Sequence, residues 1–320
     1  MRDSATHFHP ALVVGVDVGG TKITAAEVAR DGTCTGHVTV STPALDGPHA
    51  VLDAIAATVR AVADGRTIAA VGVGTAGAVD ALRGVIVSAT ETFPGWVGTD
   101  VAGGLRARLG DVLLNGGVIR VENDVDAHGI GESVLGAGRG ARNALVVAVG
   151  TGVGAAVIIG GSPLRGAHHM SGEIGHMPVP DAADDECPCG RPGHLEAVAA
   201  GPAIARRYAR RAASPAVTAI DVFDRARAGD EQAQAVIADS ARATAHAVAG
   251  LMTVLDPNVV VVGGGVMGGG PVWWDTFVAT VRESTVDILH DVPLVTAQLG
   301  ADAPLVGATR FFYADTEEHA

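Results

Sequence analysis

Cysteine is scarce in this chain, with three among 320 residues. Two of the three stand as Cys187-Pro188-Cys189. That spacing suits a metal site in a reducing compartment and excludes a disulfide framework. Charge is thin as well, at 18% of residues, against about 25% in ordinary soluble proteins. With 48% apolar residues beside it, the chain has a large core to bury, and disorder over most of its length is excluded. Positive charge is the rarer sign: 22 Lys and Arg stand against 35 Asp and Glu, a net charge of −13. So acidic a protein repels phosphate backbones and anionic headgroups, which argues against nucleic-acid and membrane partners. An apolar leader is missing too, since Met1–Pro10 has no h-region, and the expected location is cytoplasmic. Two uncharged runs, Asn143–Leu164 and Pro257–Trp274, are interrupted by glycines. They read as buried strands and turns, not as membrane helices.

Glycine is abundant, at 44 residues. There is no collagen-like period, so the chain must turn sharply or approach a ligand closely in many places. Apolar runs at Leu12–Asp17, Ile23–Val28 and His37–Ser41 predict a three-stranded meander. A helix is predicted over His49–Ala63, strands over Ile68–Val73 and Val118–Val121, and helices over Val101–Leu109 and Asp124–Leu135. The strand, glycine turn, strand layout then recurs at Ala144–Ile159, an internal repeat. Glu196–Leu255 has helical period, Val259–Val262 is a strand, and Gly270–Leu289 is helical. Val292–Ala297 is a strand and Pro304–Ala314 a last helix. Strands alternating with helices make the class α/β, at a length suited to two domains.

Three glycine-rich turns could hold an anion. Asp17-Val18-Gly19-Gly20-Thr21-Lys22 offers backbone amides, a hydroxyl and a charge, with Asp17 placed to orient magnesium through water. It is not a Walker A loop, because the spacing differs. Gly150-Thr151-Gly152-Val153-Gly154 is a second amide-rich turn; each of the two also reads as an ordinary hairpin. Gly263-Gly264-Gly265-Val266 ends a strand before a helix. An open sheet binds ligands at such a place, and close strand–helix packing demands the same residues.

These turns, with Glu122-Asn123-Asp124, Gly172-Glu173-Ile174-Gly175-His176 and Cys187-x-Cys189-Gly190-x-x-Gly193-His194-Leu195-Glu196, make the chain resemble the ROK family of bacterial sugar kinases, in the actin-like ATPase superfamily. The resemblance runs in order from about residue 12 to the last helix. It implies two actin-like (ribonuclease H-like) α/β lobes with a cleft that closes on sugar and excludes water. The lobes are expected at 11–122 and 123–303, with a hinge near 121–126 and the final helix, 304–316, packing back on the first. It implies transfer of the γ-phosphoryl group of ATP, with magnesium, to the 6-hydroxyl of a hexose. Asp124 matches the catalytic base; an N-cap is the plainer reading of the same residue. Asn123, Glu173, His176 and Glu196 match sugar-binding positions, and Gly77 and Pro94-Gly95-Trp96 match segments lining the pocket. Trp96 by itself reads as packing. Asp17, Gly19, Gly20, Thr21, Lys22, Gly150, Thr151, Gly152, Gly154, Gly264 and Gly265 match the ATP-binding turns. A homodimer or tetramer is implied, and polyphosphate stays open as a donor.

His176, Cys187, Cys189 and His194 form a set suited to tetrahedral, structural Zn2+. The family more often has a third cysteine at position 194. His176 would then set one nitrogen on the metal and the other towards the sugar. Cys34 has no assigned role. Asp126, His128, Thr92 and Ser171 depart from the usual glucokinase-like pattern. A carboxylate at 126 either favours an aminohexose such as glucosamine or kanosamine over glucose, or faces solvent and complements the helix dipole. Family members also include sugar-responsive repressors. The first strand begins at Leu12 with no helix-turn-helix before it, so the remaining alternative to a kinase is a non-catalytic sugar sensor.

Overall fold

The computed structural model describes residues 11–89, 93–182, 185–214 and 218–313. Alternating apolar residues bury one side of β1 (Leu12–Val18), which pairs antiparallel with β2 (Lys22–Val28), itself paired antiparallel with β3 (Cys34–Ser41). Helix α1 (Pro48–Ala63) sets Val51, Ile55, Val59 and Val62 into the core. β4 (Ile68–Thr75) then lies parallel to β1. A short hairpin follows, β5 (Ala78–Asp80) with β6 (Val85–Ser88), and the sequence pattern does not signal it. Helix α2 (Val101–Leu109) is capped by Asp100, whose Oδ1 accepts from the Gly103 N–H at 2.7 Å. β7 (Leu113–Asn123) starts earlier than the apolar run predicts, because its first half is an exposed edge without apolar alternation. It runs straight into α3 (Asp124–Val134).

β8 (Ala144–Val149), β9 (Val153–Ile159) and the short β10 (Ser162–Pro163) repeat the antiparallel trio. The predicted helical stretch 196–255 is four helices: α4 (Glu196–Ala199), α5 (Gly201–Arg211), α6 (Ala219–Arg227) and α7 (Glu231–Leu255). Gly201-Pro202 restarts the helix after an extended Ala200, Thr218 opens α6 with a capping box, and Asp230 caps α7. β11 (Val259–Gly263) lies parallel to β8. α8 (Gly270–Ser284) stops short of Leu289 because Thr285 is extended, and β12 (Leu294–Thr296) is parallel to β11. Trp273 stacks on Phe277 at 5.2 Å in this core and donates its indole N–H to Ser240 Oγ. The chain ends its described part with α9 (Ala303–Thr309) and a single 3-10 turn to Phe312. Residues 314–316 of the predicted last helix, and Thr92, lie outside the described residues.

Besides the β5–β6 hairpin, the described residues form two five-stranded sheets, in the orders β3-β2-β1-β4-β7 and β10-β9-β8-β11-β12. In both, three antiparallel strands are followed by two parallel ones. The same ribonuclease H-like sheet is thus built twice, which is the α/β actin-like architecture. The chain divides into two compact units, one of residues up to Gly131 with those from Ala301, the other Glu132–Gly300. This division falls inside α3, between Gly131 and Glu132, later than 122/123. The reason is packing: the first turns of α3 lie against β4 and α9. A Cβ on Gly74 would meet the Ala127 Cβ at 3.1 Å, and one on Gly307 would overlap the Ala127 carbonyl. α9 lies as tightly on the first sheet, where a Cβ on Gly72 would be 2.2 Å from the Ala308 carbonyl oxygen. Among the described residues, no helix is long and apolar enough to cross a membrane.

Candidate functional site

In the first unit, β7 hands the chain to α3 through Asn123. Its Oδ1 accepts from the N–H groups of Val125 and Asp126 at 2.9 and 3.0 Å, and its Nδ2 donates to the Gly77 carbonyl at 3.0 Å. Asn123 is therefore the cap, and its side-chain oxygen is already engaged. Asp124 is the first helical residue, and its Oδ1 accepts from the Val125 N–H at 2.9 Å. The expectation that Asp124 serves only as the cap does not hold, since the neighbouring amide fills that place. Burial raises the Asp124 carboxyl above the usual carboxylate range, and hydrogen bonds from Val125 and its neighbours pull the other way.

Asp17, near the end of β1, is pushed up to about 6, by burial first and the Asp124 charge second, with Lys22 opposing. The turn after it is tight: the Gly19 N–H donates to the Lys22 carbonyl at 3.0 Å, and Thr42 Oγ1 donates to the Gly19 carbonyl. Thr21 and Lys22 stand exposed beyond it. The elevated Asp17 value has a consequence for stability. The folded protein holds a proton on Asp17 between pH 4 and 6 that the unfolded chain releases, so stability from this group is full below pH 4 and lost as pH rises through 6. Asp17→Asn is expected to stabilise the protein, free of magnesium and nucleotide, by about 1–3 kcal/mol at pH 7.5 and hardly at pH 4, read by urea unfolding. Equal effects at both pH values would refute this.

Asp126 is 8% exposed. The solvent-facing reading is overturned, because Asp126 shares its helix face with buried Ile130. Trp96 is 1% exposed and stacks on Phe93 in the core, as a packing residue. Cys34 is half-buried, with its thiol pushed up to about 11 by burial, and its Sγ–H points at the Gly32 carbonyl.

In the second unit, the β8–β9 turn closes with the Gly150 N–H on the Gly152 carbonyl at 2.8 Å. Gly264 has φ +100, and a Cβ there would be 2.2 Å from the Val149 carbonyl oxygen, so close packing explains this glycine. Gly265 has open space around it, and a Cβ on Gly150 would stand 3.8 Å from its N. The fold thus sets two of the three glycine turns side by side, with Thr151, Gly152, Gly264 and Gly265 exposed; Gly154 is already inside β9.

The loop from Gly172 to His176 and the segment from Cys187 to Glu196 meet in the same unit. One donor atom each from His176, Cys187, Cys189 and His194 lie within 4.8 Å of one another. The Nδ1 atoms approach the sulfurs, His176 to Cys187 at 3.7 Å and His194 to Cys189 at 3.2 Å. Donors around a tetrahedral zinc are spaced at about 3.4–3.8 Å, so the His and Cys chemistry fits the ion and the two His–Cys approaches lie near that spacing. Cys187 is buried, which pushes its thiol up to about 11 in the absence of metal. The segment is tied down by Asp185, which receives Arg207 and Arg210 from α5. His176 turns its Nε2 towards Glu173 Oε2 at 3.9 Å. Glu196 Oε2 accepts from the Val153 N–H at 2.9 Å.

One carboxylate was not singled out by the sequence reading. Glu132 is fully buried and accepts from the N–H groups of Ala137, Gln298 and Leu299. Its only sequence signal is a charge inside an otherwise apolar helix end.

The ROK family matches residues 13–314. A glucokinase of Thermotoga maritima is 33% identical over 315 residues, covering 92% of this chain and 95% of the relative. An N-acetylmannosamine kinase of Escherichia coli is also 33% identical, covering 92% and 96%. The crystal structure of a ROK family glucokinase from Streptomyces griseus, in complex with glucose and AMPPNP, is 32% identical, with a TM-score of 0.81 over 94% of this chain and 99% of that one. A family match over nearly the whole length, on a doubled sheet of the same architecture, leaves one assignment: this chain belongs to the ROK family.

Proposed function

We propose that the chain is an ATP-dependent hexose kinase acting on the 6-hydroxyl of glucose or a glucose-like aminohexose. The observation that carries this reading is Asp124: a carboxylate at a helix start, freed from capping by Asn123, raised by burial and set near a second carboxylate, Asp17. Relatives named glucokinase and N-acetylmannosamine kinase support it. Asp124 takes the proton of the sugar hydroxyl as its oxygen attacks the γ-phosphorus, and the bond from phosphorus to the departing ADP oxygen breaks. Magnesium, carried with the nucleotide, would neutralise phosphate charge, and Asp17 is the residue to orient its water. Gly19, Gly20, Thr21 and Lys22, Gly150 to Gly152 with Gly154, and Gly264 and Gly265 offer amides, hydroxyls and a charge to the phosphates. Asn123 has one amide hydrogen to spare for a sugar hydroxyl, and Glu173, His176 and Glu196 supply further partners.

His176, Cys187, Cys189 and His194 would hold a structural zinc, with Glu173 behind the far nitrogen of His176. Elemental analysis should return about one zinc per chain, and Cys189→Ala should lose it. A metal-free native protein would defeat the assignment.

The choice of sugar turns on Asp126, buried in the first turn of α3 with its N–H on Asn123. A buried carboxylate stabilises a substrate ammonium, so glucosamine is expected to exceed glucose in kcat/KM, and Asp126→Asn to cut that ratio about tenfold. ADP release across a sugar panel tests both points. No sugar-dependent ADP release would sink the kinase reading in favour of a sensor; release without amino-sugar preference would sink only the choice of substrate.

A further inference from the structure

The expected part of Glu196 is to meet a sugar hydroxyl, yet one of its two carboxylate oxygens, Oε2, is engaged elsewhere. Oε2 accepts from the N–H of Val153, the first residue of β9 and the last hinge point of the β8–β9 turn. The same oxygen lies between two glycines: a Cβ on Gly152 would be 2.8 Å from it, and one on Gly175 3.2 Å. A side chain at 152 would crowd the carboxylate, and at 175 the Val153 carbonyl, 2.4 Å from a Cβ there, sets the tighter limit. Nearby, a second tie runs from the Gly201 N–H to the Gly150 carbonyl at 2.8 Å. The segment bearing Glu196 is itself anchored, since the Leu195 N–H donates to the Met177 carbonyl at 2.9 Å and His194 belongs to the His/Cys cluster. The turn's two ends, Gly150 and Val153, are therefore both fixed from the start of α4 and α5.

We infer that Glu196 is a positioning residue for the β8–β9 turn, holding its exposed amides in the geometry that a nucleotide phosphate requires. A glycine turn has wide conformational freedom, and fixing it before binding removes an entropic cost from the ligand's affinity. A hydrogen bond from one backbone N–H to a side-chain oxygen on an anchored segment restricts the turn to conformations that keep that bond. What the turn binds rests on the proposed kinase activity; that Glu196 fixes the turn does not.

Two variants separate this from a role in sugar contact alone. Glu196→Ala deletes the acceptor, whereas Glu196→Gln keeps an oxygen for the Val153 N–H and loses only charge. Amide hydrogen exchange reads the tie directly: Val153 should exchange at least ~10-fold faster in Glu196→Ala and near the wild-type rate in Glu196→Gln. Titration calorimetry with magnesium ADP, without sugar, should show affinity ~5–20-fold weaker in the alanine variant and equal to or above wild type in the glutamine variant. Unchanged Val153 exchange in the alanine variant overturns the inference. So does equal weakening of ADP binding in both variants, which would make the charge, not the bond, responsible. Altered exchange in a protein whose wild type binds no ADP would leave Glu196 as the turn's anchor and discard the kinase reading.

Discussion

Asp124→Ala should lower kcat by ~10²–10⁴ while the protein stays folded. In activation free energy that is about 3–5 kcal/mol, more than a cap or a surface carboxylate contributes. The structure explains why the two effects separate. Asn123 Oδ1 holds the Val125 and Asp126 N–H groups, so the start of α3 keeps its cap when Asp124 is shortened. Loss of the single bond from Val125 to Asp124 Oδ1 costs about 1 kcal/mol or less of stability. Sugar and nucleotide KM values should move far less than kcat, since the group acts on the proton and not on binding. The pH profile gives an independent reading. Burial raises the Asp124 carboxyl, so the acid limb of kcat/KM should lie above the usual carboxylate range, activity falling as the base is protonated. Asp124→Asn should also lower the Asp17 pKa from about 6, because the Asp124 charge is the second cause of its elevation. A folded variant with wild-type turnover would remove Asp124 from the mechanism.

Legibility in the sequence followed pattern length. β1, β2, β8, β9 and β11 were predictable because each is an apolar run bounded by glycine, and their recurrence exposed the doubled sheet. The β5–β6 hairpin was not, since strands of three and four residues hold too little period to read. The first half of β7 was missed for a different reason: an exposed edge strand shows no apolar alternation. Within the site, His176, Cys187, Cys189 and His194 carried their own chemistry, and the fold brings all four donors together. The division of the chain was misplaced because packing, not a change in composition, assigns the first turns of α3 to the first sheet. The solvent-facing alternative for Asp126 failed on the same ground: a charge on the first helical turn suits solvent and dipole, and only tertiary contact buries it. Glu196 was readable as a carboxylate near a motif, but its hold on the Val153 N–H depends on β9 and α4 meeting, which no local pattern encodes.

Glu132→Ala is expected to destabilise the fold strongly although it lies outside the proposed chemistry. Its side chain is fully buried, with Oε1 accepting from the N–H groups of Gln298 and Leu299 at 2.9 and 2.7 Å. Oε2 accepts from Ala137 at 2.9 Å and shares Gln298 at 3.1 Å. The second unit opens at Glu132 and closes at Gly300, so this one carboxylate pins the unit's last residues to its first. Alanine would leave three backbone donors without an acceptor in the interior, each costing about 1–3 kcal/mol before relaxation or an entering water reduces it. A net loss of about 3–5 kcal/mol follows, a large part of the 5–15 kcal/mol that holds a typical domain. In a unit of this size that should lower Tm by roughly 6–20 °C. Glu132→Gln keeps one acceptor but turns an NH₂ towards backbone N–H groups, so it should lie between alanine and wild type. Scanning calorimetry on both variants is the measurement, and a Tm within about 2 °C of wild type for Glu132→Ala would show that water replaces the carboxylate at little cost. Because Glu132 touches neither Asp124 nor the glycine turns in these contacts, kcat at a temperature where the variant is folded should stay near wild type. That pairing of a large thermal loss with preserved turnover separates a structural carboxylate from the catalytic one eight positions before it.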